Sequence, residues 1–169
     1  MALSVLPLDL VRWDESVRDC LVLPVFKDDR PLRGAAGLAD WRLCGRLSQF
    51  VKSNRMTGDA GETMLMPPGR RLRFDRIMWF GLGDARNYSD DRFRKDLAWI
   101  VDVVGKAGVG ELTLQAPGRA SGLIGARRAL EILLEDPVLA LQPITLLEDP
   151  AGQKDIAEIL RQQRVTTAR

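Results

Sequence analysis

Apolar positions follow two different rhythms along this chain. Short apolar runs bounded by turn residues predict strands at Leu3–Val11, Cys20–Phe26, Glu62–Met66, Arg73–Phe80, Glu111–Ala116 and Ile144–Leu147. Between them the apolar residues recur at helical spacing. Leu43, Leu47, Phe50 and Val51 predict a helix from about Leu38, with Asp40 in its first turn. Phe93, Leu97, Ile100, Val101 and Val104 predict a second. Ser89-Asp90-Asp91 supplies a capping serine and first-turn acids, and Gly105 and Gly108 are stop signals. Ser121 to Leu134 reads as a third helix that Asp136-Pro137 interrupts. Ile156, Ile159 and Leu160 mark a fourth after the Asp149-Pro150 turn. Pro24 points to a position near a sheet edge or a strand end.

Strands and helices alternate, which predicts an α/β fold: a three-layer α/β/α sandwich around a mixed, mostly parallel sheet. Residues 1–163 read as one domain, and residues 164–169 as a flexible tail with no core-forming pattern. The 169 residues suffice for one core without staples. A net charge of +2 gives no strong field toward nucleic acid or a membrane. No apolar run is long enough to span a bilayer. The start of the chain lacks a basic residue ahead of its apolar run, and Asp9 ends that run early, unlike a signal peptide. The two cysteines, Cys20 on a strand and Cys44 on a helical pattern, read as buried thiols of a reducing cytoplasm.

The chain contains no histidine. Imidazole-based triads and His-ligated zinc sites are therefore excluded, and two distant cysteines cannot build a thiolate site. No cofactor or metal is expected.

The order of motifs carries a resemblance. Leu21-Val22-Leu23-Pro24-Val25-Phe26 is followed by a charged loop and then Leu32-Arg33-Gly34-Ala35-Ala36-Gly37-Leu38-Ala39-Asp40. After a helix come Gly58-Asp59-Ala60-Gly61-Glu62-Thr63, a Pro-Gly turn, and the strand ending in Gly81-Leu82-Gly83. From roughly Cys20 to Gly118 the chain resembles the N-terminal domain of the leucyl (cytosol) aminopeptidases. That resemblance implies a macro-domain-like fold. It does not imply peptidase activity, because the family's metal ions and catalytic residues belong to a C-terminal domain. The signature of that domain, Asn-Thr-Asp-Ala-Glu-Gly-Arg, is absent here.

Two glycine segments are candidate ligand loops. Gly81-Leu82-Gly83-Asp84 follows a strand and could turn backbone N–H groups toward an anion, or serve as a plain strand-to-loop turn. Gly34 and Gly37 resemble the glycine-rich loop of macro domains. The Asn that those domains place before it is missing from Lys27-Asp28-Asp29-Arg30, which speaks against ADP-ribose. Asp28, Asp29, Asp40 and Glu62 are oxygen ligands in search of a hard cation, or solvated acids. Arg70, Arg71, Arg73 and Arg76, with Arg92, Arg94 and Lys95, form a basic cluster. Some aminopeptidases of this family bind DNA, yet Asp75, Asp84, Asp90, Asp91 and Asp96 interleave with these bases, so nucleic acid is not the expected partner. Trp79 is expected in the core. Trp41 and Trp99 are expected half-buried and become partner contacts if exposed.

The expectation is a non-catalytic binding or regulatory module that associates with itself or with an aminopeptidase subunit. A small-anion sensor, a DNA-binding module and a piece of a longer metalloaminopeptidase are the alternatives.

Overall fold

Twelve elements follow in order in the computed structural model, which describes residues 3–136, 139 and 142–167. They are β1 (Leu3–Pro7), α1 (Leu10–Trp13), β2 (Arg18–Val25), α2 (Gly34–Arg42), α3 (Arg46–Lys52), β3 (Thr63–Met66), β4 (Phe74–Gly81), α4 (Asp90–Lys106), β5 (Leu112–Leu114), α5 (Ala126–Glu135), β6 (Ile144–Glu148) and α6 (Pro150–Thr167). One six-stranded sheet has the order β1-β6-β5-β2-β4-β3. Every neighbouring pair is parallel except β3 with β4. The predicted α/β architecture is therefore the one observed, with helices on both faces.

The core follows from strand alternation. Cys20 and Val22 face α4, α5 and α6, while Leu21, Leu23 and Val25 face α1, α2 and α3. A strand buried on both faces cannot carry polar alternation, hence the unbroken apolar run of β2. α4 matches its sequence signals closely. The Ser89 hydroxyl accepts from the Arg92 N–H at 3.3 Å, and Phe93, Leu97, Ile100, Val101 and Val104 are all buried. Asp149 likewise caps α6, its carboxylate accepting from the Gly152 N–H at 2.7 Å, with Pro150 in the first helical position.

The structure corrects several boundaries. β1 ends at Pro7 rather than Val11, because the Asp9 side chain accepts from the Val11 N–H at 2.9 Å and starts α1. Trp13 then lies wholly buried, donating its indole N–H to the Pro7 carbonyl at 2.8 Å. Pro24 is not near an edge, for β2 is flanked by β5 and β4. It does lie at a strand end: Val25 turns its carbonyl to Leu82 on the β4 side, so Pro24 faces the other side, where pairing with β5 has stopped at Val22. The single helix expected from Leu38 is two. Cys44 (φ 57°) and Gly45 (φ 78°) take left-handed conformations that break it. Asp40 is consequently near the end of α2, and its carboxylate accepts from the Ser48 N–H at the start of α3. α6 continues through Arg164 to Thr167, the first part of the segment read as a tail. Pro137 and residues 168–169 lie outside the described residues.

The two cysteines differ. Cys20 is fully buried, and desolvation, helped by the charge of Asp19, pushes its thiol up to about 12. Cys44 is exposed, which corrects the expectation of a buried thiol. An aromatic disulfide reagent near neutral pH should therefore modify Cys44 alone in the native protein and both thiols in urea. Equal reaction of both in the native state would contradict this packing.

Candidate functional site

In an open α/β sheet, ligands enter at the carboxyl ends of the strands. Here β2 runs into Phe26, whose N–H donates to the buried Asp29 carboxylate at 3.0 Å. The other Asp29 oxygen accepts from the Ser121 hydroxyl at 2.9 Å. β5 runs into Gln115, whose side-chain oxygen accepts from the Ala35 N–H at 2.9 Å. That amide oxygen occupies the start of α2, where an anion would otherwise meet backbone donors. The space left among Phe26, Asp29, Ala35, Gln115, Gly118 and Ser121 is about 10 Å³, room for no more than a water.

Gly34 and Gly37 lie in the first turn of α2, not in a loop before it. The sequence misplaces them because glycine next to alanine gives no apolar rhythm. Gly34 has φ +55°, and a Cβ there would strike the Gln115 side chain. A Cβ on Gly37 would come to 2.8 Å from the Leu32 carbonyl. Close packing therefore accounts for both glycines.

Gly81, Gly83 and Asp84 sit at the end of β4. The Gly81 N–H donates to Glu62 at 2.8 Å, the Leu82 N–H to Val25 at 2.9 Å and the Gly83 N–H to Gly58 at 2.8 Å. The backbone N–H groups of Gly81, Leu82 and Gly83 are thus already engaged with carbonyls. Asp84 pairs with Arg86 at 2.6 Å, and hydrogen bonds from Arg86 hold its carboxyl below the usual carboxylate range. Beside this pair is an open cleft of about 400 Å³ lined by Ala60, Leu82, Gly83, Asp84, Asn87 and Arg92. Arg92 donates to the carbonyls of Leu82 (3.0 Å), Asp84 (2.8 Å) and Arg86 (3.1 Å), and lies 5.1 Å over the Tyr88 ring. The two glycine segments therefore line two separate spaces.

The four candidate acids are dispersed and engaged. Asp28 accepts from the Ala85 N–H at 2.8 Å, Asp29 and Asp40 as described, and Glu62 from the N–H groups of Thr57 and Gly58, each at 2.9 Å. They act as loop braces, and among the described residues no group of three or more His, Cys, Asp or Glu side chains is placed to hold a metal. The arginines lie at the opposite end of β4. Arg71 donates to the Cys44 sulfur at 3.0 Å and Arg73 to the Asp14 carbonyl at 3.0 Å; Arg76 pairs with Asp19 at 2.9 Å. Arg70 is exposed. Three of the four are tied to their own chain rather than presented as one phosphate-facing row.

The pair that sequence reading missed is Arg119 with Glu148. Two guanidinium N–H groups meet the two carboxylate oxygens at 2.9 and 2.7 Å, with side chains 12% and 2% exposed. The one local signal was a glutamate closing the apolar run Ile144–Leu147, a charge where a buried strand ends. Trp41, expected half-buried, is 72% exposed on α2. Trp99 is half-buried, its ring edge-on to Phe80 at 5.1 Å.

Comparison with known proteins agrees with this architecture. A probable cytosol aminopeptidase of Halorhodospira halophila is 31% identical over 98 residues, which cover 58% of this chain and 19% of that protein. This chain thus spans about a fifth of the length of that curated relative. Among solved structures, a tomato leucine aminopeptidase matches with a TM-score of 0.61 at 13% identity, over 93% of this chain and 35% of the other. An Oceanobacillus iheyensis macrodomain with MES bound matches with a TM-score of 0.65 at 13% identity, over 97% and 93%. At such identities these two matches show the fold alone. The family model described as "Cytosol aminopeptidase family, N-terminal domain" matches residues 22–135, and by that match the chain belongs to the cytosol aminopeptidase family through its N-terminal domain.

Proposed function

We propose that this chain is a non-catalytic binding or regulatory module of the cytoplasm, acting by association with itself or with an aminopeptidase subunit. The observation that carries this reading is the filled entrance at the carboxyl ends of β2 and β5. Gln115 and the Asp29–Ser121 pair occupy it and leave about 10 Å³. Function then falls to the surface, where Trp41 stands out at 72% exposure, a residue type that anchors interfaces when it becomes buried. The test is co-purification of the tagged chain with a cytosol aminopeptidase, together with light scattering of the chain alone. A complex, or a mass above that of the monomer, supports the reading. A strict monomer that captures no aminopeptidase overturns it.

A second reading is a sensor for a small anion in the open cleft beside Arg86. The Arg86 guanidinium is exposed there although paired with Asp84. Thermal shift with nucleotides, ADP-ribose and inorganic phosphate tests it. Stabilisation that Arg86→Ala abolishes would support this reading, and a flat response would end it.

A further inference from the structure

Leu10 of α1 and Leu38 of α2 line one open groove of about 550 Å³, with Pro7, Leu8 and Pro150 as its other apolar walls. Four residues after each leucine, the Asp14 carboxylate meets the Arg42 guanidinium at 2.9 Å. The two helices therefore lie side by side and point the same way, from the groove toward this ion pair. Trp41 comes one turn after Leu38 and directly before Arg42, and it is 72% exposed.

Beyond the pair the surface is basic. Arg42 also donates to the Arg71 carbonyl at 3.2 Å, Arg71 to the Cys44 sulfur and Arg73 to the Asp14 carbonyl. The Arg18 N–H donates to the Arg73 carbonyl at 3.0 Å, and its guanidinium to the Ser16 carbonyl at 3.3 Å. Arg46 follows Cys44 by two residues, and Arg70 precedes Arg71. These sulfur and carbonyl acceptors are neutral, so they hold guanidiniums in place without cancelling their charge. Among the described residues, Arg18, Arg46, Arg70, Arg71 and Arg73 form no ion pair. Of the acids nearest in sequence, Asp14 is taken by Arg42 and Asp40 by Ser48, which leaves the exposed Asp75.

The groove has the opposite character. Its charged walls are carboxylates alone. Asp9 and Asp149 cap α1 and α6, and Glu148 is paired with Arg119. A nucleic-acid strand, charged at every residue, would be held at one end of this surface and repelled at the other. A peptide can be apolar at one end and acidic at the other, and fixed guanidinium forks suit its carboxylates. We propose that the groove, Trp41 and the arginine patch form one docking surface for a segment of another protein, apolar over the groove and acidic over the arginines. In this chain itself, residues 132–135 and Ile144–Glu148 have that order, and both are packed into α5 and β6. The segment therefore comes from a different protein.

This inference rests on the arm of the proposed function in which the partner is a different polypeptide, and it names that partner's chemistry. The experiment is fluorescence anisotropy of the full chain with two labelled peptides. Each has a leucine–phenylalanine half and a glutamate half, in the two possible orders. One should bind with a dissociation constant below about 100 μM in low salt. Trp41→Ala should weaken that binding about tenfold. Arg70→Glu/Arg71→Glu should weaken it about tenfold and flatten its salt dependence. Serine in place of the peptide's apolar half should also cost about tenfold. Lys106→Glu, on the opposite face of the sheet, should change nothing, and circular dichroism checks that each variant folds. Binding of neither peptide would overturn the proposal. So would equal binding of the serine peptide, or tighter binding of a thymidine oligonucleotide of equal charge. Co-purification tests the wider reading separately. An aminopeptidase complex that survives both Trp41→Ala and Arg70→Glu/Arg71→Glu would overturn this surface and leave association standing.

Discussion

Glu148→Ala is expected to lower the free energy of unfolding by about 3–5 kcal/mol, because it strands a buried guanidinium. The Arg119 side chain is 12% exposed and loses both carboxylate contacts at once, keeping only the Ile124 carbonyl at 3.0 Å. α6 starts directly over the pair: a Cβ on Gly152 would collide with the Glu148 carboxylate. Glu148 also closes the end of β6. Its main-chain carbonyl accepts from the Leu8 N–H at 3.1 Å and from the Gln153 side chain at 3.0 Å, which joins β1, β6 and α6. Those bonds survive the substitution, so the loss should be electrostatic and not a general unravelling. Urea denaturation reads the difference as a lower midpoint with an unchanged slope. Replacing both partners, Arg119→Met with Glu148→Leu, should recover most of the loss, because a buried ion pair is worth little more than apolar groups of the same shape. A single Glu148→Ala variant within about 1 kcal/mol of wild type would contradict the buried geometry.

Gly81→Val is the second change with a large expected effect. It should cost about 3 kcal/mol or more, at the upper end of what overpacking does. Gly81 ends β4, and the loop after α3 crosses its Cα so closely that a Cβ would strike the Asp59 carbonyl. That obstacle is backbone, which cannot rotate aside as a side chain can. The Gly81 N–H bond to Glu62 and the Gly61 N–H bond to Gly81, at 2.8 and 3.3 Å, would both stretch as the loop moved. For a chain of this size the loss corresponds to a fall in Tm of about 6–12 °C. Gly83→Ala is the informative contrast. Its φ is +75° and the nearest obstacle is the Ala60 methyl at 3.1 Å, so about 1 kcal/mol is expected. A Gly81→Val protein as stable as wild type would remove the steric role and return Gly81 to the ligand candidates.

How the sequence was legible differs by element. α4 was readable because its determinants are local: a capping serine, two first-turn acids and an apolar stripe within one helix. β2 and β4 were readable because strands buried on both faces must be apolar throughout. The start of α2 was not, since Gly34-Ala35-Ala36-Gly37 looks like a loop until Gln115, some 80 residues away, is seen to accept from Ala35. Cys44 and Gly45 break a pattern that continues across them, and the break is held by Asp40 reaching to Ser48.

The candidate site was less legible than the fold. Its glycines were found, yet Gln115 and Ser121 come from the loop after β5 and Asp29 from the loop after β2, and nothing in their spacing announces a meeting. Arg119 and Glu148 are 29 apart in sequence and become a pair only because β6 and the loop after β5 end on the same side of the sheet.

The amino-acid sequence by itself determined the alternation of strands and helices, the sheet's buried strands, the want of histidine and the kinship with an aminopeptidase N-terminal domain, because periodicity, composition and motif order are properties of neighbours along the chain. The tertiary structure alone decided that the entrance at the ends of β2 and β5 is filled, that the acids brace loops instead of gathering round an ion, and that β3 lies uncharged at the rim of the sheet. Those outcomes depend on which distant residues the sheet order brings within hydrogen-bond reach, and a bond of about 3 Å between residues far apart in sequence leaves no local trace.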